Sequence, residues 1–179
     1  MKLAAIPGIT PVSTHSVEST ERELTKLIIE ARGAESAHDP GIAIAARDAA
    51  ELAHGNGASL VAVVEHPSAD PAVLIGMIVT VDVPLGTTAA AELRQYLEDA
   101  GGADIREVTE ARTERGYPVV IAERILVDNP PSGCQLQAVV LDPTGRRLAV
   151  FTLHSMTGRG WLELATLLGR LVSTVDFTV

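Results

Sequence analysis

A glycine-rich turn before the last predicted helix is the segment of this sequence best suited to holding a small ligand. Gly158, Arg159 and Gly160 follow Thr157 and precede Trp161, where the helix is expected to begin. Free backbone N–H groups at the start of a helix attract anions, and an arginine adds positive charge. The spacing matches neither the lysine-containing phosphate loop nor the G-x-G-x-x-G motif. We name Gly158, Arg159 and Gly160 as candidate ligand-binding residues; the alternative is an ordinary strand-to-helix loop.

Three side chains carry groups that could act in hydrolysis. Cys134 begins one predicted strand, and His154 and Ser155 end another. A nucleophile needs a base within hydrogen-bond reach and a donor for the oxyanion. Ser155 does not lie in a G-x-S-x-G motif, and adjacent strand residues point to opposite faces, so His154 and Ser155 should diverge. Because a free cysteine is usually a small buried residue, we expect no catalytic residues.

The histidines give no metal-binding motif. None of them has the i, i+4 spacing or the H-E-x-x-H pattern that places two ligands on one helix face. We therefore expect no metal site and no cofactor. The five histidines are His15, His38, His54, His66 and His154.

Charged side chains are concentrated on two neighbouring predicted strands. They could form an acid–base pair or a charged partner surface, and the alternative is cross-strand ion pairing on a solvated sheet face. Strict alternation puts Glu107 on the same face as Ile105. The residues are Glu107, Glu110, Glu114, Glu123, Arg106, Arg112, Arg115 and Arg124.

Composition limits the classes of partner. The chain has 179 residues, 46% hydrophobic and 21% charged, which fits one globular domain with a core of aliphatic residues. Its net charge is −9, and Lys2 and Lys26 are its only lysines. Nucleic acid backbones and anionic membrane surfaces require a basic stripe that this composition does not supply. We therefore expect neither a nucleic acid partner nor a membrane surface partner.

The N-terminal segment and the single cysteine favour a cytoplasmic protein. Met1 to Thr14 contains no continuous apolar run of the kind found in a signal peptide. The longest apolar run, Val73 to Val81, is far shorter than the roughly 20 residues that a membrane-spanning helix needs. With Cys134 alone, no intramolecular disulfide can form. Few lysines among many alanines and arginines suggest a bacterial source.

Hydrophobic periodicity and turn residues predict the element order ααββαββββα, and Leu3 to Thr10 forms either a leading strand or an ordered arm. Thr20 with Glu23 predicts a capping box for the first helix. Asp39 and Pro40 predict the cap and first position of the second. The predicted strands are Leu60–Glu65, Val73–Val83, Asp104–Glu114, Pro118–Asp128, Gln135–Leu141 and Arg147–His154.

These elements predict an α+β protein. Strands joined by tight turns pair antiparallel, which gives a six- or seven-stranded, mostly antiparallel sheet with helices packed on its faces. We expect residues 1–179 to form a single domain. Within it, residues 1–57 form the N-terminal arm and two helices, and residues 58–179 form the sheet and its covering helices.

The order of crossover helix, two hairpins and closing helix resembles the Mog1/PsbP-like α/β/α sandwich, and in particular actinobacterial proteins of that architecture. The segments that carry the resemblance are Gly57–Val61, Gly116–Val120 and Val150–Ser155, and it extends over about residues 58–177. The resemblance implies the sandwich fold and a non-enzymatic role, since members are binding or assembly factors such as small-GTPase binders and photosystem subunits. It places no functional residue on this chain.

Three functions follow as hypotheses. The first is a non-catalytic protein-binding or assembly module, which includes a homo-oligomer, because strands such as Val119–Val127 are apolar on both faces and need cover. The second is a small-ligand or lipid binder with a pocket between sheet and helices, or at Gly158–Gly160. The third is a hydrolase that uses Cys134 or Ser155 with His154.

Overall fold

An antiparallel sheet forms the middle layer of the fold. The computed structural model describes residues 1–100, 104–127 and 132–178. In that part of the chain, seven strands pair in the order β1-β2-β3-β7-β6-β5-β4, and every pairing is antiparallel. The strands are β1 (Ile9–Pro11), β2 (Leu60–Val64), β3 (Ala72–Thr80), β4 (Ile105–Arg112), β5 (Pro118–Leu126), β6 (Gly133–Leu141) and β7 (Arg147–Ser155).

Helices pack on both faces of this sheet, which confirms the predicted α+β class. Among the described residues, no helix has both the length and the apolar character needed to cross a bilayer. The helices are α1 (Val17–Arg32), α2 (Pro40–Gly55), α3 (Ala89–Ala100) and α4 (Trp161–Ser173), with a short 3-10 helix (Ala34–His38) between α1 and α2.

One face of the sheet is covered by α4, and we call it the α4 face. Phe151 of β7 and Leu74 of β3 are fully buried there against Leu164 and Leu168 of α4. Apolar residues recur along α4 at intervals of three and four, so a single stripe of the helix lies on the sheet. The apolar spacing of this segment in the sequence predicts such a stripe, and Leu164, Leu168 and Leu171 are buried as it requires.

The opposite face carries α1, α2 and α3, and we call it the α2 face. Helices α1 and α2 lie over β2 and β3, where Leu24 and Ile42 pack with Val61. Helix α3 lies over β4 and β5, where Leu97 packs with Val120. The sheet is continuous between the area under α1 and α2 and the area under α3. One row of cross-strand neighbours runs across β3, β7, β6 and β5, and it consists of Ile75, Thr152, Gln137 and Ala122.

The residues Asp142-Pro143-Thr144-Gly145 predict a tight turn between β6 and β7, and the structure confirms it. The Gly145 N–H donates to the Asp142 carbonyl oxygen at 2.8 Å, and Gly145 has a φ of +68°. Glycine takes that conformation without a steric penalty, and Pro143 presets the angle before it. Asp142 is buried and pairs with Arg147 across the turn, with Nε and Oδ2 2.8 Å apart. Burial opposes ionisation of Asp142, but hydrogen bonds from Arg147 and Thr144 outweigh burial and lower its pKa.

The first helix begins earlier than its sequence predicts. Ser16, not Thr20, is the N-cap. Its Oγ accepts from the Ser19 N–H, and its own N–H donates to Ser19 Oγ, which completes a capping box. The buried Thr20 hydroxyl instead donates to the Ser13 carbonyl oxygen at 2.6 Å. The prediction is wrong because several serines and threonines here can cap a helix, and the packing of the preceding chain decides among them.

Other predicted boundaries agree with the structure more closely. Asp39 caps α2 by accepting from the Gly41 N–H at 2.9 Å, with Pro40 at the first helical position, as predicted. Strand β3 ends at Thr80 instead of Val83. The paired glycines Gly101–Gly102 predict the end of α3, and Asn129–Gly133 predicts a loop. Residues 101–103 and 128–131 lie outside the described residues.

Candidate functional site

A groove lies on the α2 face, beside α2 and above the middle strands β3, β7 and β6, and we call it the α2 groove. Its volume is about 530 Å³. It forms where the α1–α2 pair ends, because α1 and α2 cover β2 and β3 while α3 covers β4 and β5. Its wall includes Ile44, Ala45 and Leu52 of α2, and its floor includes Gln135, Thr152 and His154 of the sheet.

The wall of the α2 groove is an apolar stripe of α2 that does not enter the core. Ile42 and Ala46 are buried against the sheet, whereas Ile44 and Leu52, on the neighbouring stripe, are 61% and 57% exposed. Two large aliphatic side chains left exposed two turns apart on one helix leave apolar surface for a ligand or partner.

The floor of the α2 groove is polar at its centre. His154 and Gln135 are paired across β7 and β6, and Thr152 comes two residues before His154 on the same face. Among the described residues, none forms a hydrogen bond with the side chain of Thr152 or with that of Gln135. Both side chains are half-buried and line the groove, so their polar atoms are left to water or to a ligand.

The tautomer of His154 follows from its hydrogen bond to Ser132. Its Nε2 lies 3.1 Å from the Ser132 carbonyl oxygen, and a carbonyl can only accept, so Nε2 carries the hydrogen. Burial lowers the pKa of His154, while the bond to Ser132 acts in the opposite direction. The ring is therefore neutral at neutral pH, and its Nδ1 is an acceptor.

The charged side chains at the rim of the α2 groove are mostly paired within the chain. Arg32 lies 3.3 Å from Asp39, measured from Nη1 to Oδ2. Asp70 accepts from the Thr157 hydroxyl at 2.8 Å and lies 3.6 Å from Arg159. Both arrangements offset a charge at the rim, so the groove presents little net charge to a ligand from these groups.

The predicted Gly158–Gly160 loop packs against the β2–β3 connection beside the rim. The Gly158 N–H donates to Ser155 Oγ at 3.1 Å, and the Arg159 N–H donates to Thr157 Oγ1 at 3.2 Å. The guanidinium of Arg159 is paired with Asp70. The two backbone N–H groups and the guanidinium that would bind an anion therefore already have partners within the chain. Ligand binding by this loop stays a prediction.

The three hydrolytic candidates lie on two different faces of the sheet. Cys134 and Ser155 are paired across β6 and β7 on the α4 face, whereas His154 lies on the α2 face. The expected divergence of His154 and Ser155 is thus present, and the same alternation separates His154 from Cys134. Burial, and then the charge of Glu123, raises the pKa of Cys134, which disfavours the thiolate. The geometry therefore places His154, the predicted base, on the opposite face of the sheet from both nucleophiles.

The charged strands β4 and β5 are arranged differently from the prediction. No ion pair joins these two strands in the described part of the chain; Glu110 instead lies 3.7 Å from Arg94 of α3. A bulge between Ile105 and Glu107 shifts the register, so Ile105 packs with Val108 under α3. The prediction that Ile105 and Glu107 share a face is wrong, because a bulge inserts one residue and reverses the alternation.

The histidines are dispersed over the fold. Within residues 1–100, 104–127 and 132–178, no three histidine, cysteine or acidic side chains come together as a metal site would require. His54 lies near the end of α2, where its Nε2 is 3.1 Å from Thr20 Oγ1. Its role there is to join α2 to α1.

Sequence reasoning proposed a pocket between sheet and helices as an alternative but named none of the α2 groove residues as its lining. The one signal in the sequence was that Ile44 and Leu52 fall outside the Ile42–Ala46–Ala50 stripe of α2. Comparison with known proteins found no family model and no curated protein that matches this chain. The site is therefore defined by its own geometry.

Proposed function

We propose that this chain is a non-catalytic binding protein and that the α2 groove holds a small apolar or lipid-like ligand. The observation that carries the proposal is the groove itself, whose volume of about 530 Å³ lies within the range of roughly 300–1,000 Å³ typical of ligand sites. Apolar walls with a few convergent polar groups are the usual construction of such sites. Ile44 and Leu52 supply the wall, and Thr152, Gln135 and His154 supply the polar groups.

Filling the groove should abolish binding. Ala45 is half-buried and lines the groove, so Ala45→Phe places a ring in the space that the ligand needs. Aliphatic probes should raise the melting temperature of the wild-type chain, because a ligand that binds only the folded state stabilises it, and should not raise that of the variant.

The matched control for Ala45→Phe is Ala43→Phe. Ala43 is exposed on the same helix and does not line the groove, so this variant should respond to the probes as the wild type does. The proposal is wrong if aliphatic probes leave the wild-type melting temperature unchanged, or if both variants respond alike.

A protein partner or a second copy of this chain is the second candidate occupant of the same surface. Exposed Ile44 and Leu52 favour it, since large aliphatic side chains in a line are a common feature of helix-mediated contacts. This proposal includes a binding or assembly role in the bacterial cytoplasm. It also includes membership of the Mog1/PsbP-like sandwich fold. The layered α/β/α arrangement and the single cysteine support them.

The oligomeric state tests the second candidate. If a second copy covers α2, sedimentation should show a concentration-dependent dimer, and Leu52→Glu should return it to monomer because a buried unpaired carboxylate opposes association. Leu162→Glu is the control, because Leu162 is 75% exposed on α4 at the other face of the sheet. A chain that stays monomeric at all concentrations would contradict self-association.

A further inference from the structure

We infer that the ligand of the α2 groove is a linear amphiphile with an uncharged, hydroxyl-bearing head. The head binds at Thr152, Gln135 and His154 on the floor, and the aliphatic tail lies against Ile44 and Leu52. This inference rests on the proposed function and specifies the chemistry of its ligand. Three observations carry it: the hydrogen-bond inventory of the floor, the charge of the rim and the length of the wall.

The floor offers both donors and acceptors. His154 Nδ1 is an acceptor, because Nε2 carries the hydrogen that it donates to Ser132. The Thr152 hydroxyl and the Gln135 amide can each donate and accept. A hydroxyl head both donates and accepts, so it can donate to His154 Nδ1 and accept from the Thr152 hydroxyl or the Gln135 amide. A carboxylate only accepts and would face the lone pair of His154. An ammonium can donate to all three side chains, but its charge loses solvation in the groove, and Asp70 at the rim is already paired with Arg159.

In the described part of the rim, the arginines are already paired with carboxylates and are not free to hold an anionic head. Arg32 is paired with Asp39, and Arg159 with Asp70. Asp48, on the tail wall between Ile44 and Leu52, forms no ion pair with a described residue and would repel a carboxylate. Because Asp48 is exposed, solvent and salt screen both this repulsion and its attraction for a cationic head, so both effects are small.

The wall suits a tail of medium length. Ile44 and Leu52 are separated by two helical turns, which at 1.5 Å per residue places them about 12 Å apart along α2. An extended octyl chain has about this length. Its aliphatic carbons would cover the two exposed side chains, and burial of apolar surface is the main source of affinity expected here.

Three octyl probes with the same tail isolate the role of the head. We would measure the binding of 1-octanol, octanoate and octylammonium to the wild-type chain at neutral pH by calorimetry. Octanol should bind at least about fivefold more tightly than either charged probe, the difference that one net hydrogen bond makes. Equal or tighter binding of a charged probe would overturn the inference and leave the proposed groove standing.

A variant separates hydrogen bonding from the simple preference of an apolar groove for an uncharged molecule. Thr152→Val removes the hydroxyl and makes the floor more apolar, yet octanol affinity should fall about fivefold, because one hydrogen bond is lost. Thr109→Val is the control, since Thr109 is exposed on β4 away from the groove. Unchanged or tighter octanol binding to Thr152→Val would overturn the inference. If no octyl probe binds the wild type, the proposed function fails, and the inference fails with it.

Discussion

Replacing Gly160 by alanine is expected to lower the free energy of unfolding by on the order of 3 kcal/mol. Gly160 caps α4 with a φ of +69°, a conformation that costs other residues about 1–2 kcal/mol. A Cβ at this position would also overlap Ala69 and lie 2.6 Å from the Ser68 carbonyl oxygen. Because these neighbours include backbone atoms, the loop must move to make space. Urea denaturation followed by circular dichroism would measure the loss.

Gly169→Ala is the matched control for this substitution. Gly169 lies in the exposed interior of α4, and no atom approaches within 4 Å of a Cβ built there. Alanine is favoured over glycine in a helix, so this variant should gain roughly 0.5–1 kcal/mol. Equal stability of the two variants would show that the contact between Gly160 and the β2–β3 connection does not hold α4 in place.

Replacing Phe151 by alanine is expected to cost about 3–5 kcal/mol, the usual range for deletion of a fully buried phenyl ring. Phe151 lies at the centre of the α4 face, where it is fully buried and packs beneath α4 with Leu164 and Leu168. Atoms of its ring would lie 3.2 Å from a Cβ at Gly76, so the neighbouring strand is shaped to the ring. The same denaturation experiment measures the effect.

Val150→Ala provides the comparison on the other face. Val150 is the neighbour of Phe151 on β7, is half-buried and packs in the cluster beneath α3. Because less surface is buried there and fewer carbons are removed, the expected cost is roughly 1 kcal/mol. A cost for Phe151→Ala no greater than that for Val150→Ala would contradict the assignment of the main core to the α4 face.

The type and order of the elements followed from the sequence because local interactions decide them. The Asp142–Gly145 turn was predictable since proline and glycine each restrict or permit a specific backbone angle. The start of α2 was predictable for the same reason, because Asp39 and Pro40 have side-chain chemistry that suits a helix N-terminus. Alternation along the strands then required cover on both faces.

The errors arose where distant parts of the chain decide between local alternatives. Thr20 is a good cap by type, but its hydroxyl is directed to the Ser13 carbonyl oxygen. The β4 sequence alternates regularly, but pairing with β5 inserts a bulge after Ile105. The bulge depends on a partner strand, so no pattern within β4 could show it. At α1 the alternative cap, Ser16 with Ser19, is local, and only the packing of the preceding chain distinguishes it from Thr20.

The sequence by itself therefore determined the strands, the helices, the antiparallel pairing and the apolar stripes that cover the sheet. Only the tertiary structure decided that α2 and α3 lie over opposite ends of the α2 face and that Thr152, Gln135 and His154 line a groove beside α2. The physical reason is that helix position depends on how side-chain volumes pack between elements far apart in the chain. Ile44 and Leu52 were visible in the sequence as apolar residues, but the space beside them was not.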